Sequence, residues 1–213
     1  MKDNVFFVSG IDTNVGKSYA TGYLAKTWNE QGVRTITQKF IQTGNVGMSE
    51  DIELHRKIMG TGLLPEDESG LTMPEIFTYP CSPHLAAEID HRPIDFDKIE
   101  KATRQLSETY DAVLLEGAGG LMVPLTRDLL TIDYVVQKNY PLIFVTSGKL
   151  GSINHTLLSL EAVTRRGIRL HTVAYNLFPE EDDDIIRRDT EAYIRDLLTK
   201  EYPETHFVIV PKL

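Results

Sequence analysis

One cysteine, Cys81, and one tryptophan, Trp28, occur among the 213 residues. A lone cysteine excludes an internal disulfide framework, supplies no cluster of thiolate metal ligands, and fits a reducing cytoplasm. Positive charge is also scarce: 22 Lys and Arg stand against 31 Asp and Glu, a formal charge of -9. That balance argues against nonspecific attachment to nucleic acid or to an anionic membrane. Any anionic ligand must then be held by local lysines and backbone amides. The N-terminal apolar run VFFV follows Asp3 and is soon ended by Asp12, so neither a signal peptide nor a membrane span is expected.

The remaining composition, 41% hydrophobic and 25% charged, is that of an ordinary globular protein, and the length suits a single domain over residues 1–213. VFFVS at 5–9 is a continuous apolar run, as in a strand buried on both faces, and Lys17 to Gln31 carries apolar residues at helical spacing with Gly32 at its end. Further strands are expected at 35–40, 112–116, 141–147, 170–176 and 206–210, with helices at 50–59, 96–109, 131–138, 152–166 and 183–200. This alternation implies an α/β fold, a mainly parallel sheet covered by helices on both faces; with Gly-Lys-Ser at 16–18 after its first strand, the fold reads as P-loop NTPase-like. The proline-bearing stretch 61–92 breaks the pattern and reads as an irregular lobe, in which Ser82-Pro83 resembles a helix start with serine as N-cap. The acidic run EEDDD at 180–184 reads as a solvated helix start.

Ligands of such sheets bind beyond the carboxyl ends of the strands. SGIDTNVGKS at 9–18 lies at one such end, yet it departs from the usual phosphate-loop spacing. Five residues separate Gly10 from Gly16, and Ile11 takes the place of the first glycine. Gly-Lys-Ser could be a glycine turn with a surface lysine; the apolar strand before it and the helix after it favour a phosphate cradle. In that cradle the loop amides bind phosphate oxygens, Lys17 pairs with the outer phosphates and Ser18 ligates magnesium. Glu116 ends an apolar strand and is followed by Gly117-Ala118-Gly119-Gly120, a placement that suits a magnesium ligand as well as a plain loop carboxylate. Lys39, at another strand end, could neutralise charge on a transferred phosphoryl group, although an isolated lysine is more often a surface residue.

Together these pieces resemble the dethiobiotin synthetase family. The matching stretches are GIDTNVGKS (10–18), QKFIQTG (38–44), SEDIELH (49–55), SPH (82–84), LLEGAGGLMVPL (114–125), GKLGSINHTLLS (148–159) and YN (175–176). The resemblance implies an ATP-dependent ligase that converts 7,8-diaminopelargonic acid and carbon dioxide, or bicarbonate as its source, into dethiobiotin, ADP and phosphate. A carbamate forms first, then a carbamic-phosphoric mixed anhydride, and ring closure expels phosphate. It implies that Thr13, Lys17 and Lys39 are catalytic, that Ser18, Asp51 and Glu116 hold Mg2+, and that Thr13, Lys39 and Thr43 meet the carbamate. The nucleotide would lie on Asp12, Thr13, Asn14, Val15, Gly16, Lys17, Ser18 and Tyr19, on Asp51, and on Glu116, Gly117, Ala118 and Gly119. Asn176 would read the adenine edge, with Pro211 and Leu213 lining its pocket. Many members of the family continue past that proline, whereas this chain stops at Leu213. Gly151, Ser152, Ile153 and Asn154 would receive the remote substrate carboxylate from the neighbouring subunit, so a homodimer would complete each site. His84 and His155 lie in matching stretches with no distinct task. Three readings compete: a partitioning-type ATPase switch, whose signature lysine is replaced here by Asp12, a small-molecule kinase, and a binding-only module.

Overall fold

The computed structural model describes residues 4–178 and 183–212. Six parallel strands form the main sheet in the order β2-β5-β1-β6-β7-β8: β1 (Val5–Gly10), β2 (Thr35–Lys39), β5 (Ala112–Gly120), β6 (Leu142–Ser147), β7 (Leu170–Asn176) and β8 (His206–Val210). The helical crossovers demanded by parallel pairing are supplied by α1 (Lys17–Glu30), α2 (Glu50–Met59), α5 (Phe96–Thr109), α6 (Thr131–Lys138), α7 (Ser152–Arg165) and α8 (Asp184–Glu201).

Strand side chains alternate between two apolar layers, which is why the strands read as unbroken hydrophobic runs. Val5, Phe7, Val113, Leu115, Phe144, Val173 and Tyr175 join Ile99 and Leu106 of α5, Val135 of α6, Leu160 of α7 and Ile194 of α8 in one core. Val8, Leu114, Ile143, Val145 and Ala174 join Ala20, Leu24 and Ala25 of α1 in the other. Each Val, Leu, Ile or Phe among them contributes about 1.5–3 kcal/mol relative to exposure, so neither face tolerates a one-residue slip of register. Among the described residues no helix is long and apolar enough to cross a membrane.

The sheet order reverses around β1, whose neighbours are β5 and β6. That places the loops after β1, β2, β5, β6 and β7 on one edge, the expected ligand crevice. β5 runs four residues beyond its expected end, because the glycines after Glu116 keep pairing: Gly120 lies opposite Gly10 after an irregularity in β1.

The lobe at 61–92 contains α3 (Pro65–Glu68), β4 (Ile76–Phe77) and α4 (Pro83–Ile89), and β4 pairs in parallel with β3 (Gln42–Thr43). Backbone bonds from Lys39 N to Thr72 O, 2.7 Å, and from Gln42 N to Glu75 O, 2.8 Å, dock it on the end of β2. Ser82 occupies the N-cap position of α4 with Pro83 behind it, but its hydroxyl makes no cap bond. It lies 3.1 Å from His84 Nδ1 instead, since the ring competes for the same oxygen. At α8 Asp183 is the N-cap, accepting from Ile185 N and Ile186 N; residues 180–182 of the acidic run lie outside the described residues.

Candidate active site

A cleft of about 1020 Å³ opens along the carboxyl edge of the sheet. It is lined by the whole loop from Ile11 to Tyr19, by Lys39, Thr43, Asp51, Glu116, Ala118 and Gly119, and by Gly151 and Ser152 at the start of α7. Most of the residues expected at the site therefore share one cavity.

The loop turns into α1 at Gly16, whose φ is 81°. A Cβ there would lie 2.1 Å from Asn176 Nδ2, so the left-handed backbone and the close approach both demand glycine. α1 has no side-chain N-cap and no acidic residue in its first turn, leaving its positive end for an anion. Lys17 folds back over the loop and donates to Asp12 O at 2.7 Å and Thr13 O at 3.2 Å. Burial lowers its pKa to about 8, so it is still mainly a cation at neutral pH, and a phosphate would be a stronger acceptor than either carbonyl.

Behind the loop the charged groups converge. Lys39, at the end of β2, reaches Glu116 Oε1 at 2.9 Å and the Asp51 carboxylate. Phe40, next along the chain, points the other way and packs on Tyr134 at 4.6 Å and Phe7 at 5.6 Å, which fixes the strand end that aims the lysine. Burial opposes the charge of Lys39, but Glu116 and Asp51 outweigh it and raise its pKa. Burial likewise pushes the Glu116 carboxyl up, and Lys39 and His55 outweigh it, holding it well below the usual carboxylate range. Lysine and glutamate are thus both charged.

Ser18 Oγ lies 2.8 Å from Asp51 Oδ1 and 2.9 Å from Glu116 Oε1. A hydroxyl has one hydrogen, so it satisfies one of these carboxylates and leaves a lone pair facing the other. A divalent cation among the three oxygens would relieve that conflict. Two carboxylates, a hydroxyl and the phosphates of a nucleotide are a donor set of the kind Mg2+ takes. Among the described residues no three His, Cys, Asp or Glu side chains converge on a metal position, so a cation here would depend on the serine and the nucleotide.

Other expected residues stand elsewhere. Gly117 faces the ring of Phe7, where a Cβ would come within 2.9 Å, and it does not line the cleft; its carbonyl accepts from Lys39 Nζ at 3.3 Å. Asn176 is fully buried: Nδ2 donates to Val15 O at 2.9 Å and Oδ1 accepts from Phe178 N at 3.2 Å. Its amide braces the phosphate loop, and Asn176 does not line the cleft. The Phe178 ring does line the cleft, 5.6 Å from the Tyr19 ring. Pro211 follows β8 without lining the cleft, and Leu213 lies outside the described residues. At α7 the Ser152 amide is already donated to Lys149 O, 2.9 Å, and Ile153 and Asn154 lie outside this chain's own cleft. His155 lines the cleft, whereas His84 does not. His55 was not expected at the site; it lies one turn after Asp51 on α2, an i, i+4 spacing that puts both on one helix face.

The comparison with known proteins decides the family. A model of the AAA domain family matches residues 4–213. The chain is 52% identical over 206 residues to ATP-dependent dethiobiotin synthetase BioD 2 of Pasteurella multocida, covering 97% of this chain and 96% of that one. The chain belongs to the dethiobiotin synthetase family. The synthetase of the same name in Haemophilus influenzae is 57% identical over 86% of this chain and 96% of its own. BioD of Chlorobaculum tepidum is 52% identical over 90% and 80%. Solved structures share the fold beyond the synthetases: a ParA family ATPase from Chlorobium tepidum (TM-score 0.54, 12% identity, 99% of this chain and 85% of that one) and chloroplast FtsY from Physcomitrella patens (0.55, 14%, 100% and 60%).

Proposed function

We propose that the protein is an ATP-dependent dethiobiotin synthetase that closes the ureido ring of dethiobiotin from 7,8-diaminopelargonic acid, carbon dioxide and ATP. The observation that carries this reading is the meeting of Lys17, Lys39, Ser18, Asp51 and Glu116 in a cleft that continues to the start of α7. A cleft of about 1020 Å³ exceeds what one small ligand needs and suits a nucleotide with a second substrate. A nucleotide switch has no use for that continuation.

In this reading one amine of the substrate takes up carbon dioxide and loses a proton to give a carbamate. Its oxygen attacks the γ-phosphorus, the bond to ADP breaks, and a mixed anhydride forms. The second amine then attacks the carbonyl carbon, loses its proton, and expels phosphate. Lys17, freed from Asp12 and Thr13, holds the outer phosphates. Lys39 remains protonated and meets the charge on the carbamate and the transferred phosphoryl group, where a preformed cation acts most strongly. Thr13 and Thr43 border the same space and orient the carbamate. Ser18, Asp51 and Glu116 would hold Mg2+, which offsets phosphate charge when bound. Tyr19 and Phe178 face the base.

We assign Ile153 and Asn154, which lie outside their own chain's cleft, to the neighbouring subunit's substrate carboxylate, and so infer a homodimer in the cytoplasm. Asn154→Ala should then raise the KM for the diamine and leave ATP binding unchanged. The decisive assay supplies Mg-ATP, bicarbonate and 7,8-diaminopelargonic acid and looks for dethiobiotin with one phosphate per ring. ATP hydrolysis that needs no diamine would favour the switch.

A further inference from the structure

Behind the carboxylate corner lies a buried polar chain that the reaction as described does not use. His55 Nε2 lies 2.8 Å from Glu116 Oε2, and His55 Nδ1 lies 3.0 Å from Thr37 Oγ1. Arg56 Nη1 donates to the same Thr37 hydroxyl at 2.8 Å. Its Nε and Nη2 form a two-pronged pair with Asp67, both at 2.8 Å, and Thr72 Oγ1 donates to Asp67 at 2.6 Å. Thr37, His55, Arg56, Asp67 and Glu116 are all at most 1% exposed.

The partners fix the proton that faces Glu116. An ionised carboxylate only accepts, so His55 Nε2 carries a hydrogen. A guanidinium only donates, so Thr37 Oγ1 accepts from Arg56 while it also meets His55 Nδ1. Thr37 Oγ1 holds the far side of the ring at Nδ1. Asp67 belongs to the 61–92 lobe, so that lobe anchors the far end of the chain.

We propose that His55 is a positioning residue for the cation site: by holding Oε2 of Glu116, it turns Oε1 alone toward Ser18, Lys39 and the metal. One carboxylate oxygen is thereby committed to the protein and one to the cleft. The Thr37–Arg56–Asp67 chain keeps the ring from flipping. This rests on the reading of Glu116 as a cation-facing carboxylate.

The test measures Mn2+ binding to the protein–ADP complex by the electron-spin signal of free Mn2+, and ADP binding in EDTA by calorimetry. His55→Leu should weaken Mn2+ binding about 10–100-fold, as loss of a hydrogen bond to a metal ligand typically does, while metal-free ADP binding is unchanged. His55→Gln should restore most of the Mn2+ affinity, because its amide nitrogen stands near the place of Nε2. His55→Asn should not, because its nitrogen stands near Nδ1. If His55→Leu does not fold, the Gln and Asn variants carry the comparison, and equal Mn2+ affinity in those two would overturn the proposal. Wild-type Mn2+ affinity in His55→Leu would overturn it too. Glu116→Gln separates the two levels: unchanged Mn2+ binding there rejects the reading of Glu116 and this proposal with it. Loss of Mn2+ binding in Glu116→Gln but not in His55→Leu rejects only the role of His55.

Discussion

At the carboxylate corner Ser18, Lys39, Asp51 and Glu116 bond to one another and are backed by His55, Thr37 and Arg56. Beside the start of α1 the cleft is bordered by Tyr19 and by Phe178, which is 48% exposed and whose ring lies against that of Tyr19. The first region is held by buried, mutually compensating charges. The second is held by two rings and by Asn176, whose amide serves the loop. Because an unpaired buried charge is so costly, a change at the corner disturbs every neighbour, whereas a change at the rings removes only a surface contact. Phosphoryl chemistry should therefore be brittle and base recognition graded.

The largest effect should come from Lys39→Ala. It removes the cation between Glu116 and Asp51, and turnover should fall about 10²–10³-fold, with steady-state kinetics showing a lower kcat and a nucleotide titration showing little change in ATP affinity. A loss of ATP affinity with kcat unchanged would make the lysine a ground-state phosphate ligand. Phe178→Ala should instead raise the KM for ATP by only a few fold, in line with about 0.5–1.5 kcal/mol for an aromatic contact, and leave kcat unaltered. A drop in kcat as large as that of Lys39→Ala would erase the contrast.

The smallest effect concerns pH. Burial would push the Asp67 carboxyl up, but the bonds from Arg56, Thr72 and the Leu64 amide outweigh it and lower its pKa. A depressed carboxyl stabilises the fold above its unfolded pKa and ceases to do so as pH falls through the folded value. Urea unfolding carried from neutral pH into the acid range should thus show stability falling below the usual carboxylate range. In Asp67→Asn the neutral-pH stability should be lower and the acid slope shallower. An unchanged slope would remove Asp67 as an anchor of the corner.

Much of this could be read in the chain itself. Runs such as VFFVS and AVLLE are apolar on both faces, so the parallel strands and the crevice at their ends followed from the pattern, and with them the places of Lys17, Lys39 and Glu116. The continuation of β5 through Gly120 was hidden because glycine has no side chain to alternate. β3 and β4 have two residues each, too few to carry any period. Asn176 bonds to Val15 across 161 positions, a partnership that no local pattern encodes. His55 was within reach: four residues after Asp51, it shares the face that meets the corner.

Transfer of the γ-phosphoryl group to a carbamate oxygen at this corner is tested most directly with carbon dioxide labelled in both oxygens. Supplied as gas with the diamine and Mg-ATP, and sampled before the label exchanges with water, it should deliver one labelled oxygen to each phosphate released, because the carbamate oxygen leaves on phosphorus. Phosphate carrying no label, with ring product still formed, would contradict the account.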